Sequence, residues 1–440
     1  MQVNNAKISK PINIVWLRRN LRFDDNRPLV LAMKEDLPIL LLFIFDSDIL
    51  SKLELSDDLR VNFIHQQLKS LNSQLNKVKS SMLVMHGEVV PIFDKLLNQW
   101  PIQKIFHAED FEPYAIERDL EVKQLAQSKN IQVRTCVDHL IYHPSHTLKQ
   151  DLTPYQVYTP FSKAWLNNLK PEHTRSYDVD LKKVNWLQMK FDQVTLDEIG
   201  FEYKERTYPP AQIESNTIEE YGSLRNYPAE KASSRLGIHL RFGTISIRKI
   251  VTQALASADP TFLKQLIWRE FFTQIMYHYP SSMNAAFKPK YRDLPWKYDE
   301  DHLAKWQAGK TGIPLVDAGM RELNETGTMH NRVRMITASW LTKNLLFDWR
   351  IGERYFASRL LDFELASNVG SWQWVAGTGC DAAPYFRIFN PFTQAQKFDP
   401  KGSYIKKWIP EIDSLDYPTP MVDYKTSREK CLAFFKKYAR

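Results

Sequence analysis

Five short apolar runs constrain the first third of this 440-residue chain more than any other feature. They are INIVWL (12–17), LPILLLFIF (37–45), SSMLVMHG (80–87), IQKIFHAE (102–109) and IQVRTC (131–136). The runs are largely continuous rather than alternating, so these strands need cover on both faces. Between the second and third runs, Val61, Ile64, Leu68, Leu71 and Leu75 recur at spacings of three and four. That spacing predicts a helix with one apolar face, capped by Ser56 or Asp57. Strands alternating with helices predict a parallel sheet covered on both sides. Residues 11–134 are expected to form this α/β domain. It is Rossmann-like in layout but has no Gly-rich phosphate loop.

The pattern then breaks into short pieces rich in proline and histidine, which predicts an ordered connector over 135–205. From 206 to 440 helical periods dominate and no strand pattern recurs, so this part is expected to be all-helical. Only 14 glycines occur in the whole chain, which suits a largely helical protein. Eight of the 12 tryptophans lie at or after Trp268, so the helical half has an aromatic task that the first half lacks.

The net charge of +8 favours an anionic partner such as nucleic acid. The apolar runs fall well short of the roughly eighteen residues of a membrane span. The N-terminal MQVNNAKISKPINIVWL reads as a lead into the first strand, not as a signal peptide. Three widely spaced cysteines (Cys136, Cys380, Cys431) fit a reducing cytoplasm and exclude a four-thiolate cluster.

Several motifs have ordinary readings. His139, His143 and His146 have metal-like spacing but no nearby cysteine to complete a tetrahedral site, so they read as connector residues. GTGCDA (377–382) matches a dinucleotide fingerprint in letters only, because Pro384 would break the helix it should open.

Four stretches carry more. In FLKQLIWREFF (262–272), Gln265 and Trp268 share a helix face, with Phe272 a turn further on. An amide beside an indole is either a core edge or a wall that stacks a base and bonds its rim. In TMHNRVRMITASWL (328–341), Asn331 and Met335 lie on one stripe and Arg332 and Arg334 point elsewhere, which suits phosphate plus a planar ligand. Ser233, Ser234 and Arg235 precede the HLRFGTIS helix region, either as an N-cap or as an anion cradle. In SNVGSWQW (367–374), Asn368 and Trp372 share a face while Trp374 looks the other way. Two surfaces that each want an aromatic explain that arrangement.

Long matches to these stretches identify the chain as resembling the photolyase/cryptochrome family, most closely the class I cyclobutane pyrimidine dimer (CPD) photolyases. They are MHNRVRMITASWLTKNLLFDWRIGERYF, SNVGSWQW, TGCDAAPYFRIFNP, ASSRLGIHLRFGTIS, VYTPFSKAW and WLRRNLRFDDN. The resemblance covers nearly the whole chain. It implies an α/β domain that can hold an antenna chromophore, and a helical domain that binds FAD in a U-shape. Reduced flavin absorbs blue light and passes an electron to a flipped-out dimer; the ring splits and the electron returns.

The resemblance also implies site residues. Tyr221, Ser233, Ser234, Arg235, Leu236 and Gly237 match the flavin-phosphate cradle. Arg334 and Asp362 match the ion pair beside the isoalloxazine, with Glu364 close by, and Asn368 matches the residue facing flavin N5. Trp372, Trp349 and Trp296 match the electron-transfer relay. Gln265, Trp268, Asn331, Met335 and Trp374 match the dimer pocket. Arg225, Arg269, Arg332 and Arg387 match positions that contact DNA phosphates.

The chain departs from the family pattern at three of these positions. Gln265 stands where CPD photolyases have Glu; the (6-4) photolyases have Gln there, but with two histidines where this chain has Asn331 and Met335. Glu364 replaces Asp, and Gly237 replaces Ser. DFEPYAIERD (110–119) leaves the antenna open between a folate, a deazaflavin and an empty site. The expected partner is UV-damaged DNA, with no membrane, for a monomeric cytoplasmic enzyme. The alternative is a cryptochrome-type photoreceptor with little repair. The chain ends soon after the core, at KCLAFFKKYAR, which favours repair.

Overall fold

The computed structural model describes residues 8–230 and 232–438. Five strands form one parallel sheet: β1 (Ile12–Leu17), β2 (Ile39–Asp46), β3 (Leu83–Gly87), β4 (Ile102–Ala108) and β5 (Gln132–Cys136), in the order β3-β2-β1-β4-β5. Successive side chains of a strand point to opposite faces, so β1 serves two cores. Val15 and Leu17 pack in one, while Ile12, Ile14 and Trp16 pack in the other. The Leu59–Asn76 helix covers the first face through Val61, Leu68, Leu71 and Leu75. The Val89–Gln99 and Pro113–Ser128 helices cover the second.

The cap of Leu59–Asn76 is Asp58, not Ser56 or Asp57; its carboxylate accepts from the Arg60 and Val61 amides. A one-residue shift is decided by which carboxylate reaches the first-turn N–H groups, and spacing alone does not fix that.

Helices account for the rest of the regular structure. They include Gly237–Phe242, Ile247–Ala256, Thr261–His278, Pro314–Thr326, Asn331–Ser339, Trp349–Arg359, Leu365–Ala376 and Tyr424–Tyr438. The chain divides into two compact units. The first runs to His146 and adds Leu169–Gln212 and Leu236–Gln253. The second comprises Thr147–Asn168, Ile213–Arg235 and the chain from Ala254 onward.

These units differ from a simple cut at 135 and 206. Residues 236–253, expected in the helical domain, belong with the sheet. Arg248, fully buried, is the reason: its guanidinium pairs with Asp25 at 2.7 Å and Asp138 at 2.8 Å, both also fully buried. Arg22 adds a second contact to Asp138 at 2.7 Å. Gly243 sits at φ +64°, where a Cβ would lie 1.9 Å from the Arg19 carbonyl, so only glycine lets the backbones approach there. The expected HLRFGTIS helix is therefore two helices broken at Gly243.

The connector histidines pack as rings. His146 stacks on Tyr142 with centroids 4.5 Å apart, and His139 and His143 lie against Phe111.

Candidate active site

The Leu365–Ala376 helix is the centre of the helical unit. It packs against Thr261–His278, Asn331–Ser339 and Trp349–Arg359. Its two small-residue contacts set the geometry. Opposite Trp372, a Cβ on Gly352 would lie 2.2 Å from the indole, so the ring rests directly on the Trp349–Arg359 backbone. A Cβ on Gly370 would lie 2.2 Å from the ring of Phe272, which fixes the approach of Thr261–His278.

Asn368 shares the Trp372 face, one turn earlier. Its amide nitrogen donates to the Glu353 carboxylate at 2.8 Å and to the Glu353 carbonyl at 3.1 Å. Both donors are thereby engaged, which orients the Asn368 carbonyl oxygen away from Glu353. Burial pushes the Glu353 carboxyl up, against the downward pull of the Asn368 amide.

Two of the three tryptophans of the implied relay are buried and one is half-buried. Trp372 and Trp349 are both 2 % exposed, whereas Trp296 is half-buried against Phe434 and Phe435. All three belong to one apolar cluster. Trp374 points away from Trp372 and stays half-buried at the margin of that cluster.

Arg334 and Asp362 form an ion pair at 3.0 Å, and the Arg334 Nε donates to the Met329 carbonyl at 2.7 Å. Both side chains remain about a quarter accessible (27 % and 26 %), so the pair lines an open surface rather than the core.

The dimer-pocket residues are largely unspent on structure. Gln265 makes one long contact, from its amide to the Thr261 carbonyl at 3.4 Å. Asn331 is exposed, and among the described residues its side chain bonds only the Met335 sulfur, at 4.0 Å. Trp268 is half-buried beneath Tyr158, whose ring stacks on it at 3.7 Å and 5°. The Tyr158 hydroxyl donates to the Lys264 carbonyl at 2.8 Å, and its amide donates to Asp381 at 3.0 Å. Nothing in the spacing singles out Tyr158; it lies within VYTPFSKAW, a matched stretch in which no single residue carries a role.

The arginines part company. Arg387 is exposed. Arg225 and Arg332 are half-buried, and burial and then Arg225 lower the Arg332 pKa. Arg269 is different: it is only 9 % exposed and grips Glu364 in a two-point ion pair, at 2.9 Å and 2.8 Å. Its guanidinium is engaged with Glu364, the residue just before the central helix.

Tyr221 packs edge-on to Phe262, at 5.2 Å. Ser233 and Arg235 are exposed and Ser234 half-buried. Arg235 adopts φ +50°, a left-handed conformation that a non-glycine residue holds only under constraint. Leu236 and Gly237 lead the following helix, and the division between the two units falls between Arg235 and Leu236. In the α/β unit, Glu112 pairs with Arg241 and the Tyr114 hydroxyl donates to Asp46 at 2.8 Å. The E-P-Y stretch is thus engaged within the fold and does not choose between folate and deazaflavin.

Among the described residues, the one His/carboxylate group with metal-like proximity is Asp299, Asp301 and His302, and its carboxylates are exposed. No described helix is long and apolar enough to cross a membrane.

The residues of the helical unit suit a flavin. An asparagine carbonyl is oriented by a carboxylate, an Arg–Asp pair lies open, and buried indoles adjoin them. The comparisons agree. Residues 13–178 match the DNA photolyase model, and residues 262–416 match the FAD binding domain of DNA photolyase. The deoxyribodipyrimidine photo-lyase of Alkalihalophilus pseudofirmus is 33% identical, over 97% of this chain and 98% of its own. A bacterial class III photolyase from Agrobacterium tumefaciens superposes with a TM-score of 0.88 at 29% identity, covering 99% of both chains. An archaeal photolyase from Sulfolobus tokodaii, solved with two FAD molecules, gives 0.81 at 30% identity, covering 97% of this chain and all of its own. With both halves matched and a third of the residues identical along nearly the whole length, this protein belongs to the photolyase/cryptochrome family, close to the deoxyribodipyrimidine photo-lyases.

Proposed function

We propose that this protein repairs cyclobutane pyrimidine dimers in DNA under blue light, using FAD. The flavin supplies the light-driven electron that opens the cyclobutane ring. The chain's own residues orient, exclude water and bind. Asn368, held by Glu353, presents its carbonyl to the flavin N5 edge. Arg334 and Asp362 flank the ring system, and Tyr221 with Ser233, Ser234, Arg235, Leu236 and Gly237 takes the phosphates. Trp296, Trp349 and Trp372 carry electrons inward from the half-exposed Trp296 to the buried Trp349 and Trp372. Gln265, Trp268, Asn331, Met335 and Trp374 receive the flipped dimer. Arg225, Arg332 and Arg387 hold the phosphates on either side.

The observation that supports this most is the division of the Leu365–Ala376 helix. Asn368 and Trp372 face one neighbouring helix, and Trp374 faces another way. Asn331 and Met335 offer no histidine for the acid chemistry that a (6-4) lesion requires. Gln265 keeps a donor and an acceptor for the dimer. In solution the enzyme is a monomer of the cytoplasm, a reading supported by its three free cysteines.

The test is blue-light repair of matched oligonucleotides carrying a CPD or a (6-4) lesion. The expected result is repair of the CPD alone by the reduced protein. Repair of neither, with flavin bound and reduced, would replace this reading with a photosensor. Trp372→Phe is expected to stop photoreduction of the bound flavin while chemically reduced protein still repairs, read by flavin absorbance and product yield in parallel.

A further inference from the structure

His330 is the N-cap of the Asn331–Ser339 helix, but its ring does more than cap. Its Nδ1 accepts from the Arg332 amide at 3.2 Å. The ring also bonds the backbone of Arg225, a residue on a different segment. Because Nδ1 is an acceptor, the proton sits on Nε2, which is the nitrogen that donates to the Arg225 carbonyl. One imidazole therefore ties together the two segments that carry Arg225 and Arg332.

The arginines are held from the other side as well. Arg332 donates to the Asn226 side chain at 2.6 Å, and its guanidinium lies 4.4 Å from the Phe398 ring centroid. Arg225 lies over Tyr221 at 5.5 Å. Burial lowers the Arg332 pKa and Arg225 lowers it further. Its Nε is buried without a partner. Among the described residues no carboxylate pairs with either guanidinium. Two half-exposed cations that repel each other, with no carboxylate between them among the described residues, favour an anion from outside the chain.

We propose that His330 is a positioning residue that locks Arg225 and Arg332 into one clamp on a single DNA phosphate. This rests on the reading of the protein as a DNA-repair enzyme. A neutral imidazole is what the arrangement requires, and the surroundings enforce it. Burial, then Arg334, Arg332 and Arg225, hold the His330 pKa down to about 4, while Glu322 meets only its backbone amide, at 3.4 Å. The ring therefore stays neutral at any working pH, with both of its hydrogen bonds in place.

The experiment measures binding of full-length flavoprotein to CPD-bearing duplexes in which each phosphate around the lesion is replaced, one at a time, by an uncharged methylphosphonate. Arg225→Ala and Arg332→Ala are each expected to weaken binding about tenfold, and the double variant by little more than either single one. One and the same methylphosphonate position should erase both effects. His330→Asn keeps an oxygen for the Arg332 amide, so flavin content and thermal midpoint should hold, but it loses the reach to Arg225. It should weaken binding about tenfold at that same phosphate. Effects that multiply to about a hundredfold, or that map to two different phosphates, would overturn the shared clamp. Wild-type binding by His330→Asn would overturn the positioning role, and a uniform loss of flavin and stability would reduce His330 to a cap. If the wild type binds damaged and intact DNA equally, the repair reading fails, yet the same scan on intact DNA still decides the clamp. If it binds no DNA, both fail.

Discussion

The two units bury charge differently. In the α/β unit, Arg22 and Arg248 meet Asp25 and Asp138, and Arg118 meets Asp46 and Asp119. Each buried cation there has a carboxylate. In the helical unit Arg269 has Glu364, but Lys343 is fully buried with no carboxylate beside it among the described residues. Its ammonium donates to the Ala376 carbonyl at 2.7 Å and lies 4.1 Å from the Phe435 ring. Arg225 and Arg332 likewise face each other. Paired charges close a structure upon itself, whereas half-exposed cations without a carboxylate, such as Arg225 and Arg332, leave a place for an anion. The lesson is that the sign and partnership of buried charge separate scaffold from site more clearly than burial alone.

The largest effect that could break this contrast is expected at Asp138. Asp138→Asn leaves Arg248 and Arg22 buried with half their pairing, and should lower unfolding free energy by about 3–5 kcal/mol. Urea titration measures it. A loss below about 1 kcal/mol would mean the network is not holding residues 236–253 to the sheet.

The pH dependence should then have the same sign in both units but fall in different windows. Arg22 and Arg248 outweigh desolvation and hold the Asp138 carboxyl down to about 2. Its contribution is complete above the unfolded value near 4 and disappears as pH falls toward 2. Lys343 acts in the same direction at higher pH. Burial depresses its ammonium to about 8, Cys431 pulls it back up, and Lys288 repels it. The unfolded chain binds the extra proton between about 8 and 10.4, so stability rises with pH across that window. Lys343→Met should remove this rise, worth about 3 kcal/mol, seen by comparing wild type and variant at pH 7 and pH 10.

Smaller effects sharpen the picture of the site. Gln265→Glu exchanges a neutral amide for a carboxylate at the expected dimer face. A charge-assisted bond exceeds a neutral one by about 1 kcal/mol, so repair yield per absorbed photon should change several-fold while dark binding shifts less. Equal changes in both would assign Gln265 to binding only. Smallest of all, Glu364→Asp draws the carboxylate back from Arg269 and should cost about 1 kcal/mol, visible as a small fall in thermal midpoint.

Much of this was legible in the residues. Continuous apolar runs read as buried parallel strands because β1 and its neighbours really are covered on both faces, as Ile14 and Val15 illustrate. The opposite outlook of Trp372 and Trp374 follows from helical geometry alone. Other features were not legible. Arg269 looks like any other arginine of a basic helix, and only the approach of Glu364, 95 residues away, turns it inward. His330 reads as a cap, because its second partner, Arg225, lies in another segment. Asn368 reads as a flavin neighbour, but Glu353, which orients it, carries no sequence signal beyond its charge.

The sequence by itself determined the two architectures and the helix faces, because periodicity is a local property, while the proposed site residues rest on the likeness of its motifs to a family. Only the tertiary structure decided which charges are paired, where the units divide, and which arginines remain available. Those depend on side chains meeting across more than a hundred residues, as Arg248 meets Asp25 and Asp138, and electrostatic energy is set by such encounters rather than by spacing along the chain.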